Sequence, residues 1–258
     1  FITTNSAPGL DMRYSDEKLQ SSANYLNKIW NATRYVEMTL GEDYVPEEIT
    51  SLDNLGPLER FILTRLQKTI ESIDEKMEAY NFLSASTYLY DFVYDDFCSF
   101  YLEMSKVTLG EAREKKVKDV LYKVIREIIL LIYPYCPFIG EELYLSLPGH
   151  EESIMLETYP EASASLIDEE SEKRGALLRQ ILLDVRGYKS NKGLAPNAPI
   201  RLSFSSSFPF EGISPYLVRF LFAKEVRENE TPQGDSFVYE GNTLTVEEEV
   251  NKEAPYPN

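Results

Sequence analysis

A chain of 258 residues, 43% hydrophobic and 12% aromatic, can bury the cores of two modest domains, which excludes a disordered polymer. Its net charge of −17 argues against bulk electrostatic attraction to nucleic acid, and two cysteines with one histidine exclude a Cys/His zinc site and disfavour a disulfide framework. No apolar run nears the roughly 20 residues that span a bilayer, and the first residues lack a signal pattern, so no membrane partner and a cytoplasmic setting are expected.

The opening FITTNSAPG has no initiator Met, which suggests an excised fragment. Residues 1–14 form a lead-in with a Pro8-Gly9 turn signal. Ser15 is placed as an N-cap, with Asp16 and Glu17 suited to the positive helix end, and Gly41 as a stop. At about 100° per residue, Leu19, Ala23, Tyr25, Leu26, Ile29, Trp30, Ala32 and Val36 fall on one side of this helix. Asn24, Lys28, Asn31 and Tyr35, at i, i+4, i+7 and i+11, fall within roughly 60° of each other on the opposite side.

Asparagine costs about 0.5 kcal/mol relative to alanine inside a helix, because its amide competes for backbone hydrogen bonds. A merely solvated face would usually carry Glu, Lys, Gln or Arg. Amides can read base edges, lysine meets phosphate, and a Tyr ring stacks on an unpaired base. A solvated stripe of unusual composition gives the same wheel, and the wheel does not separate the two readings.

An acidic loop from Glu42 to Gly56 leads to Pro57, well placed for the first turn of a second helix. Leu58, Phe61, Ile62, Leu66, Ile70, Ile73 and Met77 keep its spacing to about Tyr80. Ser84 can cap a third helix with Leu89, Phe92, Val93, Phe97, Phe100, Tyr101 and Met104 inward. After a polar connection (107–113), Val117, Leu121, Val124, Ile125, Ile128 and Ile132 mark a fourth. Pro134 ends it, and Pro137 starts a short fifth that Pro148-Gly149 closes. The expectation is a mainly α helical bundle over 15–160, with 153–159 as an extended tail.

Residues 161–171 are acidic and aperiodic, a linker by composition. The remainder, 172–258, reads as a small α+β domain. It should hold a helix from Glu172 to Lys189, a strand at 200–204, a short helix at 215–223 and a hairpin turning at Glu240-Gly241-Asn242. EEEVNKEA at its end could start another helix. Arg179, Arg186, Lys189, Lys192 and Arg201 reverse the charge locally. Asp95 and Asp96 are adjacent and point to different faces, so they form no catalytic pair. His150 has no sequence-level partner, and Cys98 and Cys136 read as core residues.

NKIWNATRYV (27–36), FILTRL (61–66), YDFVYDDFCSFYLEMSK (90–106) and YPYCPFIGEELY (133–144) occur together in order. So arranged, the chain resembles the anticodon-binding helical domain of class I aminoacyl-tRNA synthetases for aliphatic amino acids, nearest to the valyl branch. FITTNSAPGLDMRYS is similar to the segment following that family's KMSKS loop, and LAPNAPI with PYLVRFLFAKEV to the small domain before a C-terminal coiled coil. The resemblance implies that Asn24, Lys28, Asn31 and Tyr35 contact the anticodon of tRNA(Val). It also makes Arg34, Arg179, Arg186 and Lys189 candidates for the tRNA backbone, with a solvated face as the alternative for the last three. Glu17 stands where some members carry a basic residue. The fragment is expected to be a non-catalytic monomer without cofactor, since it contains no HIGH, KMSKS, Walker or GxSxG sequence. Valine and ATP with magnesium are implied only for the full ligase. The rivals are the same domain of an isoleucyl-, leucyl- or methionyl-tRNA synthetase, or an acidic helical protein-interaction module.

Overall fold

Apolar residues at helical spacing build the first part of the chain, and short helix-breaking turns fold it back on itself. The computed structural model describes residues 2–5, 11, 13–109, 113–205, 213–228 and 234–248. These divide into two units, 1–172 and 173–258. The Pro8-Gly9 turn and the whole of the 249–258 tail lie outside the described residues, as do 110–112 of the polar connection.

The first unit contains α1 (Ile2–Asn5), α2 (Asp16–Leu40), α3 (Pro57–Glu78), α4 (Phe82–Asp91), a π-helical segment (Phe92–Tyr101), α5 (Leu102–Thr108), α6 (Glu114–Ile132) and α7 (Pro137–Ser146). The expected third helix is therefore α4, the π-helical segment and α5 in unbroken succession. α2 packs on α6 and on the π-helical segment, α3 on α4, the π-helical segment and α6, and α7 on α6. Leu58, Phe61, Ile62, Leu66, Ile70 and Ile73 of α3 are buried, as are Phe92, Val93, Phe97, Phe100 and Tyr101 of the next helix. Val117, Leu121, Val124, Ile125, Ile128 and Ile132 of α6 complete the core. Pro57 and Pro137 sit in the first turns of α3 and α7, where a missing N–H costs nothing.

The loop after α2 is tied down by Asp119 of α6. Its buried carboxylate accepts from the Tyr44 hydroxyl at 2.5 Å and the Glu47 N–H at 2.9 Å. Residues 161–171, expected as a linker, instead pack on α3. Leu166 is buried, Ser163 N–H donates to Gln67 Oε1 at 2.8 Å, and Asp168 N–H donates to Thr64 Oγ1 at 2.8 Å. The polar composition hid a segment held by side chains of α3 rather than by its own apolar periodicity. Ser153–Tyr159 is pinned similarly, through Glu157 to Arg126 and Tyr144.

α8 (Glu169–Asn191) crosses the boundary between the units. The second unit adds β1 (Ile200–Phe204), α9 (Ser214–Leu221), β2 (Ala223–Glu228), β3 (Asp235–Tyr239) and β4 (Asn242–Glu248), in a sheet of order β2-β1-β4-β3. β1 pairs parallel to β2 and antiparallel to β4. The β3–β4 hairpin turns on Glu240 and Gly241, with φ of 48° and 84°, the two positive values that a two-residue type I′ turn needs. β2 was unexpected because AKEVRE alternates weakly, and α9 stops at Leu221 to free it. Glu247 and Glu248 end β4 rather than start a helix.

An ion-pair cluster holds the start of α8 against α3. Arg65 reaches Asp96 at 2.9 Å and Glu172 at 3.0 Å, and Lys68 reaches Glu172 at 2.5 Å. Burial raises the Glu172 pKa, but hydrogen bonds from Lys68 and Arg65 outweigh it and hold the group below its ordinary 4.5. A carboxylate with a depressed native pKa contributes stability above its unfolded pKa and loses it as pH falls through the native one. Glu172→Gln should therefore be about 1 kcal/mol less stable than the parent at pH 7, the pair being screened by its part-exposed cations. By about pH 3 that difference should close. A melting-temperature gap equal at both pH values would contradict this.

Candidate nucleic-acid interface

α2 is set by its ends and its buried stripe. Ser15 Oγ accepts from Lys18 N–H at 3.4 Å, Asp16 and Glu17 occupy the first turn, and Gly41, at φ 88°, closes the helix. Ile29, Ala32, Thr33, Val36 and Leu40 are buried, and burial in this helix begins only at Ile29. Leu19 and Ala23, expected on the inward side, are therefore exposed, while Tyr25, Leu26 and Trp30 are half-buried. The inward stripe belongs to the later turns of α2, where it meets the bundle.

With that rotation fixed, Asn24 and Asn31 stand exposed. Asn24 Oδ1 accepts from Gln20 Nε2 at 3.0 Å, and the Asn31 side chain has no hydrogen-bond partner among the described residues. Lys28 and Tyr35 are half-buried, Lys28 at the seam with the π-helical segment and Tyr35 near Lys106 of α5. Lys28 Nζ donates to Ser99 Oγ at 3.1 Å and lies 3.6 Å from the Tyr94 ring centroid. Lys106 Nζ is 5.4 Å from the Tyr35 ring centroid and pairs with Glu103 at 2.7 Å. Arg34 is exposed beside this row.

Tyr94, Ser99 and Lys106 were not singled out from the sequence. Their neighbours Phe97, Phe100 and Tyr101 are indeed core, and Tyr94 looked like part of the same aromatic run. In an α-helix, residues five apart stand about 140° from each other. A π-helix bonds i to i+5 and brings such residues to the same side. That winding is what puts Tyr94 and Ser99 beside the same ammonium. The Tyr94 ring is in turn stacked on Tyr90, 5.5 Å away and 7° from parallel, and Tyr90 lies 4.7 Å from Tyr25 of α2.

The other sequence candidates divide. Arg186 of α8 is exposed, and Arg179 is half-buried and engaged in interactions of its own. Lys189 is corrected: it is only 2% exposed, and its ammonium donates to the carbonyls of Pro196, Ala198 and Leu221 at 3.1, 2.7 and 2.7 Å. Three backbone acceptors consume its three donors, so it is an internal strut of the second unit and offers nothing to a phosphate. Burial presses its pKa below the usual lysine value, with the Arg186 charge adding to the effect.

Among the described residues the face carries no catalytic constellation. Asp96 is buried on Arg65, while Asp95 is exposed on another side. His150 Nδ1 lies 2.8 Å from the Glu151 carbonyl. Cys98 is buried and its thiol pushed up to about 11 by that burial. Among the described residues no group of His, Cys, Asp and Glu is placed to hold a metal ion, and no helix is long and apolar enough to cross a membrane. An exposed row of amides beside aromatic rings and fixed cations can bind unpaired bases by edge and face together.

Comparison with known proteins bears on the same region. A family described as the anticodon-binding domain of tRNA ligase matches residues 59–204, from α3 into β1, so that the row on α2 lies just outside the matched span. Valine–tRNA ligases of Staphylococcus epidermidis and Staphylococcus aureus are each 39% identical over 189 residues, 72% of this chain. The chain spans 22% of the length of these curated relatives. In fold, it is similar to a chain in the crystal structure of the ternary complex of Agrobacterium radiobacter K84 agnB2 LeuRS, tRNA and LeuAMS. That match has a TM-score of 0.50 at 19% identity, covering 64% of this chain and 19% of the other.

Lys189→Met should lower the stability of the second unit by about 3 kcal/mol, since three buried carbonyls lose a charged donor. Urea denaturation reads this directly; an unchanged midpoint would show that the ammonium does not hold these loops.

Proposed function

Because this chain belongs to the family of anticodon-binding domains of tRNA ligases, we propose that it is the tRNA-reading part of a valine–tRNA ligase. Such an enzyme joins valine to tRNA(Val) at the expense of ATP. The observation that carries the reading is the row Asn24–Lys28–Asn31–Tyr35, its two amides exposed and Lys28 and Tyr35 half-buried, on the helix that leads into the matched domain. Amides offer donor and acceptor together to a base edge, Lys28 adds a charged donor, and the Tyr35 ring can lie under a base. Arg34 and Arg186 are the exposed candidates for the RNA backbone, with half-buried Arg179 less open to it.

The acid balance fits a selective contact. With a net charge of −17, the chain cannot rely on a broad cationic surface, so discrimination must come from a few groups. Each phosphate neutralised in a single-stranded loop contributes a slope of about −0.7 to the salt dependence. Two or three such contacts leave binding far less salt-sensitive than that of a basic nucleic-acid binder.

Activation of valine with ATP and magnesium is assigned to the remainder of such an enzyme. A cytoplasmic, monomeric ligase is the setting that goes with this reading. The relatives named above favour valine over isoleucine, leucine or methionine.

Titration of the chain with tRNA(Val) and with the same tRNA carrying a foreign anticodon tests the reading. The matched molecule should bind at least about tenfold more tightly. In the full-length ligase, Lys28→Ala with Asn31→Ala should raise KM for tRNA about tenfold and leave valine-dependent adenylate formation intact. Equal affinity for both tRNAs, or loss of adenylate formation at unchanged tRNA affinity, would overturn it.

A further inference from the structure

Lys28 lacks the freedom of an ordinary surface lysine. A lysine that meets phosphate does so as a point charge on a flexible stem, and needs no fixed position. Here the ammonium is held from two directions, by the Ser99 hydroxyl at 3.1 Å and by the face of the Tyr94 ring at 3.6 Å. The ring is itself braced by Tyr90, which stacks on it, and by Tyr25 behind Tyr90. Tyr94 is 38% exposed, so the clamp sits at the surface rather than inside the core. Both clamp residues are carried by the π-helical stretch, whose winding alone brings positions five apart to one side.

An ammonium has three donors. One goes to Ser99, and the ring face takes up part of the remaining charge, yet at least one N–H is left, on the helix face that also carries the exposed Asn31 three residues on. A fixed donor discriminates between acceptors by their place; a mobile one does not. We propose that Tyr94 and Ser99 are positioning residues that convert Lys28 from a mobile phosphate contact into a fixed reader of an unpaired base edge. This rests on the anticodon reading above. It adds a second helix to the specificity apparatus: the row on α2 supplies the donors, and the π-helical segment sets where one of them stands.

The consequence separates specificity from charge. Freeing Lys28 leaves its charge in place, so the salt dependence of binding should persist while the preference for the matched anticodon declines. A side chain that merely supports the fold would weaken matched and foreign RNA alike.

The test uses the whole chain and the isolated anticodon stem–loop of tRNA(Val), together with versions in which each anticodon base is replaced in turn. Tyr94→Leu should reduce the preference for the matched loop about fivefold, the equivalent of one surface cation–π contact. Its salt slope should equal that of the parent. Tyr94→Phe keeps the ring and should stay within about twofold of the parent. Ser99→Ala removes one hydrogen bond and should fall between them, and it carries the test should Tyr94→Leu fail to fold. Undiminished preference in Tyr94→Leu, or in Ser99→Ala where that variant carries the test, overturns the inference, as does equal loss in Tyr94→Phe and Tyr94→Leu. If the parent chain shows no preference among the loops, the anticodon reading fails and the clamp inference falls with it.

Discussion

The burial of one stripe of α2 against the bundle is the constraint on which the rest depends. Ile29, Val36 and Leu40, each contributing roughly 1.5–3 kcal/mol on leaving water, fix the rotation of that helix, with the smaller Ala32 buried between them. A helix turned by one residue swings every side chain by about 100°. Such a turn would carry Asn31 toward the core and Ile29 into solvent, each at a cost. The apolar stripe therefore decides the outward aim of the amides without touching them. The tie from Asp119 to Tyr44 and Glu47, just beyond the C-terminus of α2, holds the same element from outside its own length.

Electrostatics play a second, more local part. A chain this acidic would repel a polyanion over most of its surface, and the cations it does present are largely committed to partners. Lys68, Lys76, Lys115, Lys116, Lys118 and Lys123 are all in ion pairs. Lys28 is set apart from them: its contacts are a ring face and a hydroxyl, both neutral, so its charge is positioned without being cancelled. The proposed interface would trade overall affinity for selectivity, since little of its binding free energy would come from charge alone.

Much of this was legible in the chain itself, because helical periodicity reports burial directly. The inward residues of α3, the π-helical segment and α6 were read one by one from their spacing, and the row on α2 from its unusual amides. The failures have separate causes. Leu19 and Ala23 follow the period of α2 but precede the turns that meet the bundle, and periodicity says nothing about where a neighbour begins. Leu166 is buried in a segment with no period at all, held by backbone hydrogen bonds to side chains of α3 that only the fold supplies. Lys189 sits in a basic stretch and looked solvated, yet the loop 196–198 and the end of α9 wrap carbonyls around it. Tyr94 and Ser99 escaped notice because the expected winding was α, which would have set them on different sides.

RNA should meet this chain on the outward face of α2. Side-chain amide resonances of Asn24 and Asn31, followed by NMR in the labelled chain as tRNA(Val) is added, test it without altering any residue. Those two signals should shift or broaden in proportion to bound RNA while that of Asn81, at the start of α4, stays in place. Saturated binding with Asn24 and Asn31 unmoved would place the contact elsewhere and contradict the account.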